Sequence, residues 1–173
     1  MELQGRKTLV LGAGKSGITS AKFLAEHGAI VALHDRKEVE TWSEQARSLK
    51  ETHNVGLIGG QIPSWLLDQI DLVVISPGVP TNTIPAKYVD RKDGEVIGEV
   101  ELAYRFMKGR IVGITGSNGK TTTTTLISEL LKDSGIETQV GGNIGTPLVS
   151  LTETSTENSW TVCELSSFQL ETI

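Results

Sequence analysis

Cysteine is nearly absent: Cys163 is the only one in 173 residues. It has no partner for an internal disulfide, which fits a reducing, cytoplasmic compartment and leaves the fold to its apolar core. Proline is scarce at five residues, and aromatics make up 5% of the chain. The three tryptophans form no stripe of the kind that stacks single-stranded bases. Neither sign of charge dominates, with 16 basic against 21 acidic residues and a net charge of -5, which disfavours a nucleic-acid or anionic-membrane binder. No run reaches the ~18 apolar residues of a membrane span, and residues 1–5 lack a basic signal start. The remaining balance, 38% hydrophobic and 21% charged, belongs to a globular chain able to bury a core.

What the sequence does have is glycine, 19 residues of it, placed mainly at the ends of short apolar runs. Residues 8–11 read as a buried strand, followed by a helix with Ile18, Ala21, Leu24 and Ala25 at helical spacing and Gly28 as its stop. Residues 30–33 form a second strand that ends at His34 and Asp35. A polar helix over 41–50, an apolar run at 55–58 and a strand at 72–75 follow. After the Pro/Gly-punctuated stretch 77–94 the pattern restarts. A helix over 99–107 turns Val100, Ala103 and Tyr104 to one side, and residues 110–115 form a strand. The next helix has Leu126, Ile127, Leu130 and Leu131 as its apolar face and Thr123, Thr124 and Thr125 on its surface. A strand at 138–140, a glycine loop at 141–145 and a last strand at 160–165 complete the chain. Strands alternating with helices predict an α/β fold with parallel sheets, built from two mononucleotide-type units in series that meet near residues 95–100.

The first glycine loop is Gly12-x-Gly14-x-x-Gly17, set between a strand and a helix, with Asp35 closing the next strand about 20 residues on. Glycines there permit a tight turn and close backbone approach to a pyrophosphate. The helix start presents N–H donors and a positive dipole end to an anion. The acidic residue suits a ribose or a ring N–H. NAD, FAD and a UDP-sugar all carry a pyrophosphate, and the loop alone does not choose among them.

The second loop is Gly116-Ser117-Asn118-Gly119-Lys120-Thr121, again between strand and helix. Its backbone N–H groups suit phosphates, Lys120 the β- and γ-phosphates of ATP, and the Thr121 hydroxyl Mg²⁺. Thr122 adjoins the loop as a further phosphate contact. The strict spacing asks for glycine at position 114, where Ile114 stands, so this is a variant loop. Glu164 lies near the C-terminal end of the last strand, where open α/β sheets collect ligands and where a hard cation finds an oxygen donor. Cys163 beside it alternates to the other face and reads as core. His27, His34 and His53 fit no ligand spacing. An NAD(P)-dependent oxidoreductase reading explains the first loop but not the second or Glu164, a simple NTPase explains the second but leaves the first idle, and a non-catalytic nucleotide-binding module is compatible with both loops.

Taken together these motifs resemble the Mur ligases. The carriers are the opening Gly12 to Gly17 loop, Ser76-Pro77-Gly78, the Thr115 to Thr122 run, Gly141-Gly142-Asn143-Ile144-Gly145, and Glu164-Leu165-Ser166-Ser167-Phe168-Gln169-Leu170. The off-register phosphate loop is shared with folylpolyglutamate synthetases, and the run after Glu164 resembles the branch that adds D-glutamate. The resemblance implies a Rossmann-like UDP-sugar-binding domain over 1–98, followed by the first part of a P-loop ATPase domain over 99–173. Gly14, Lys15 (through its backbone) and Ser16 would meet the diphosphate, Asp35 and Arg36 the uracil, and Gly78 the pocket wall. Gly116 to Thr122 would hold ATP, Thr121 and Glu164 the Mg²⁺, and Asn143 the sugar-linked part of the substrate. The implied reaction phosphorylates the carboxylate of UDP-N-acetylmuramoyl-L-alanine with ATP, after which the amine of D-glutamate attacks the acyl phosphate. Lys120 and Glu164 are its expected catalytic residues, and the full-length enzyme is expected to be a cytoplasmic monomer. The family's metal-binding histidine, modified lysine and C-terminal domain have no counterpart in these 173 residues, which by themselves are expected to be inactive as a ligase.

Overall fold

The two strongest apolar runs become central strands. Lys7–Leu11 (β1) and Leu72–Ile75 (β4) pair in parallel, and β4 is buried along its whole length. Alternation sends Leu9, Leu11, Val73 and Ile75 to one face, where they pack with Leu67, Ile70 and Tyr88. Lys15–Glu26 (α1) packs on β1 and on Ile30–Asp35 (β2), burying Ile18, Ala21 and Leu24. Glu44–Thr52 (α2) begins later than its composition suggests. The preceding residues Val39–Thr41 form a 3-10 turn, and the Ser43 hydroxyl accepts from the Ala46 N–H as the helix cap. Gly56–Gly59 (β3), the short helix Ser64–Leu67 (α3) and Glu95–Gly98 (β5) complete a five-stranded parallel sheet of order β3-β2-β1-β4-β5.

This computed structural model describes residues 1–80, 83–84, 88, 94–143 and 145–172; Ile144 and most of the turn-rich stretch expected between 77 and 94 lie outside them. The chain divides into two units, Met1–Glu99 and Val100–Ile173. Glu99–Phe106 (α4) starts at the division. In the second unit Arg110–Ile114 (β6), Lys120–Asp133 (α5), Thr138–Gly142 (β7) and Trp160–Glu164 (β8) form a three-stranded parallel sheet, order β6-β8-β7, with α5 packed on all three strands. No helix among the described residues is long and apolar enough to cross a membrane.

Three expectations about helix faces need correction. Tyr104 is 62% exposed, while Val100, Leu102 and Ala103 are buried. At about 100° per residue, Tyr104 falls beyond Val100, outside the buried arc centred on Ala103. On α5, Leu126 and Leu130 are exposed and Ile127 and Leu131 only half-buried. Thr124 is not surface: it and Ser128 are the buried residues of the helix. The helix phase is set at its first turn, where Thr121 faces Glu164 of β8; positions 124 and 128, three and seven residues on, then point the same way.

Candidate functional sites

The order β3-β2-β1-β4-β5 changes direction between β1 and β4, and the crevice at such a switch point is where open parallel sheets bind ligands. The two loops that leave those strands are the first glycine loop and Ser76-Pro77-Gly78. The N-cap of α1 is Gly14, which offers no side-chain cap, and its first turn carries no acid, in contrast to the Ser43-capped α2. An anion therefore meets a helix start that no side-chain cap or first-turn acid occupies, with Asp35 taking the Ala13 N–H just before it. Gly17 makes the turn possible: a Cβ there would lie 1.8 Å from the Gly12 carbonyl oxygen and 2.8 Å from Ser76 Oγ.

Two adjoining cavities open at this crevice. One, of about 330 Å³, is lined by Gly14, Lys15 and Ser16 at the helix start and by Ser76 and Pro77 across from it. The other, of about 290 Å³, lies over the end of β2 between Arg36, Lys37 and His34 on one side and Ile62 and Pro80 on the other. Gly12, Asp35, Gly78 and Val79 border both. Two cavities of similar size thus adjoin, one beside the N–H donors of the helix start and the other over the end of β2.

Asp35 stands at the junction and holds both sides together. Its Oδ2 accepts from the Ala13 N–H at 3.0 Å and its Oδ1 from the Lys37 N–H at 3.1 Å. Burial, the largest single influence, opposes ionisation; the two backbone N–H groups and the neighbouring His34 and Lys37 outweigh it and hold the carboxyl below its ordinary value. A lowered folded-state pKa means that the carboxylate's contribution to stability is complete above the unfolded-chain value, about 4, and is lost as pH falls through the folded value. Urea denaturation of the wild type and Asp35→Asn should accordingly differ by a constant amount above about pH 5 and converge below about pH 4. A difference that grows on acidification would contradict this account of Asp35.

In the second unit three strand ends converge. Register pairs Ile114 with Glu164 and Gly142 with Glu164, so the loop after β6, Asn143 after β7 and Glu164 at the end of β8 meet at one edge. They line one cavity of about 410 Å³ together with Ser117, Asn118, Gly119, Lys120, Thr121 and Thr122. Gly119 caps α5 at φ +75, a left-handed conformation that a side chain would strain, and again no side-chain cap or first-turn acid occupies the helix start. Lys120 Nζ donates to the Gly116 carbonyl at 2.8 Å, which folds the ammonium over the loop. Thr121 Oγ1 donates to Glu164 Oε2 at 2.8 Å, and Glu164 is only 3% exposed. A buried carboxylate and a hydroxyl facing an anion-binding loop match the oxygen donors a Mg²⁺ ion takes when phosphates supply the rest of its shell. Cys163 is buried on the opposite face.

Of the residues expected at the sites, Gly14, Lys15, Ser16, Asp35, Arg36 and Gly78 line the cavities of the first unit, and Ser117 to Thr122, Asn143 and Glu164 line that of the second; Gly116 is not in the lining and meets the site through its carbonyl, which accepts from Lys120. Sequence reasoning passed over His34, which lines the slot over the end of β2 with its Nε2 2.9 Å from the Gly60 carbonyl oxygen. It also passed over Ile62 and Trp42. No motif marks these positions: the pairing of β2 with β3 brings Ile62 to the slot, and Trp42 reaches only its rim, through the Lys37 carbonyl.

Comparison with known proteins agrees with this geometry in order and extent. The family model described as Mur ligase MurD-like, N-terminal domain, matches residues 6–98, and that of the Mur ligase middle domain matches residues 114–172. The UDP-N-acetylmuramoylalanine--D-glutamate ligase of Caldicellulosiruptor bescii is 47% identical over 174 residues, covering 100% of this chain and 38% of that protein. The protein of the same name from Solibacter usitatus is 48% identical over 177 residues, with the same coverage of 100% and 38%. The chain thus spans well under half the length of the curated relatives it matches. With both glycine loops inside matched domains, and those domains in the family's order, the chain belongs to the Mur ligase family.

Proposed function

We propose that the chain is the nucleotide-binding portion of a cytoplasmic, monomeric, ATP-dependent ligase that joins D-glutamate to UDP-N-acetylmuramoyl-L-alanine in peptidoglycan precursor synthesis. The observation that carries this reading is the pair of helix starts left without side-chain caps or first-turn acids, one lining a cavity that adjoins the slot over β2 and the other facing the Thr121–Glu164 pair. The names of the relatives supply the substrate assignment.

In this reading the N-terminus of α1, with Gly14, Lys15 and Ser16, holds the diphosphate of the UDP-sugar. Asp35 and Arg36 sit by the uracil and Gly78 lines the pocket. The N–H groups of residues 116–122 hold ATP, and Asn143 steadies the sugar-linked part of the substrate. The reaction has two steps. The substrate carboxylate takes the γ-phosphoryl group of ATP and releases ADP. The D-glutamate amine then attacks the acyl phosphate, forming the amide and releasing phosphate. Lys120 must leave the Gly116 carbonyl to reach the β- and γ-phosphate oxygens, where its charge offsets the negative charge that moves during transfer. Thr121 and Glu164 would hold Mg²⁺, which neutralises phosphate oxygens when bound.

Site-resolved NMR titration tests the assignment. UDP should shift the amides of Gly14, Ser16 and Asp35, and ATP with Mg²⁺ those of Gly116, Gly119 and Thr121. NADH shifting the first group while UDP leaves it unmoved would replace this reading with a dehydrogenase-type one.

A further inference from the structure

The slot over the end of β2 owes the position of its rim to a residue that is not part of its lining. Arg36 and Lys37 form the outer rim and are exposed, on a turn that leaves the sheet after Asp35. An exposed turn carrying two long cationic side chains has no reason of its own to hold one shape. Four contacts fix it. Asp35 Oδ1 accepts from the Lys37 N–H, as described. The Glu38 carbonyl accepts from the Thr41 N–H at 2.9 Å and from the Thr41 hydroxyl at 2.7 Å. The Lys37 carbonyl accepts from the indole Nε1–H of Trp42 at 2.8 Å. Finally, the turn sits directly on Gly59, where an added Cβ would lie 2.9 to 3.0 Å from Val39 N, Glu38 Cα and Lys37 O.

Trp42 differs from the other two tryptophans in being 7% exposed, while Trp65 is 61% exposed and Trp160 carries the Arg110 guanidinium over its ring. A buried indole needs a partner for its N–H, and here the partner is the rim carbonyl itself. The ring is thereby anchored in the core and the rim anchored to the ring.

We propose that Trp42 is a positioning residue for base recognition: by pinning the Lys37 carbonyl it fixes the rim of the slot against Gly59 and so sets the fit of the uracil-bearing nucleoside. This rests on the reading of the slot as the uridine site. Trp42 makes its hydrogen bond to the rim and none to the start of α1, which holds the diphosphate in this reading; Asp35, which joins the two, keeps both its contacts when Trp42 is replaced.

The test is Trp42→Phe, which keeps an aromatic ring in the core but removes the N–H donor together with the second ring of the indole, so Gly59→Ala serves as the variant that leaves Trp42 whole. UDP and pyrophosphate are titrated separately into the chain, and affinities are read from the Gly14 and Ser16 amide shifts. UDP affinity should fall by about threefold to tenfold, the effect of one lost hydrogen bond of about 0.5–1.5 kcal/mol, with pyrophosphate affinity unchanged. Gly59→Ala should reproduce the same split by lifting the rim from below with Trp42 intact. Equal UDP affinity in wild type and both variants would overturn the proposal, and so would a parallel loss of UDP and pyrophosphate, which would mark a general structural role. Failure of the wild-type chain to bind UDP at all would instead overturn the uridine-site reading.

Discussion

Gly17→Ala should eliminate detectable UDP binding at the first site while leaving the ATP-induced shifts of residues 116–122 in place. The added methyl would sit 1.8 Å from the Gly12 carbonyl oxygen, a distance no rotamer can relieve because both partners are backbone. Gly12 cannot retreat, since it is itself hemmed in by Val79 and by Ser76. The remaining relief is for the first turn of α1 to swing away from the loop, and that turn supplies the diphosphate donors. Overpacking of this kind costs about 1–3 kcal/mol of stability. The loss in affinity should be larger, on the order of a hundredfold or more, because two or more charge-assisted hydrogen bonds lose their geometry together. A Gly17→Ala chain that is folded by circular dichroism and binds UDP with wild-type affinity would refute the assignment of this helix start to the diphosphate.

At the second site, Lys120→Ala should weaken ATP by about tenfold to a hundredfold, the range for a hydrogen bond to a charged group. Glu164→Gln should act differently. Glutamine keeps the size of the side chain and can still accept from Thr121, but it removes the anionic charge. ATP affinity without metal should then stay the same or rise, because a negative charge near the phosphates is gone. The tightening normally produced by adding Mg²⁺ should shrink by about tenfold or more, since a hard cation loses its charged oxygen donor. Titrating ATP into both proteins with Mg²⁺ and with chelator separates the cases. An unchanged Mg²⁺ effect in Glu164→Gln would remove Glu164 from the metal site.

The two glycine loops were legible because each does its work through backbone geometry. Gly12, at φ +100, and Gly17, against the Gly12 carbonyl, stand where the chain must turn tightly or approach itself closely, and that requirement appears in the sequence as a missing side chain. Glu164 was legible from its position at a strand end. The rim around Trp42 was not. Its parts come from residues 35–42 and from Gly59–Gly60, and nothing in either segment names the other. Pairing of β2 with β3 brings them together, with Asp35 opposite Gly59.

Helix α5 shows the same division most sharply. Its leucines form a convincing apolar stripe, and local hydrophobicity predicted that stripe to face inward. The structure turns Thr124 and Ser128 inward, in the same helix phase that brings Thr121 to Glu164 on β8. Local sequence was thus enough for the strands, the loops and the chemistry each loop can support, all properties of short segments. Which residues share a cavity, and which face of a helix is buried, was decided by tertiary structure. Those depend on parallel pairings between segments distant in sequence.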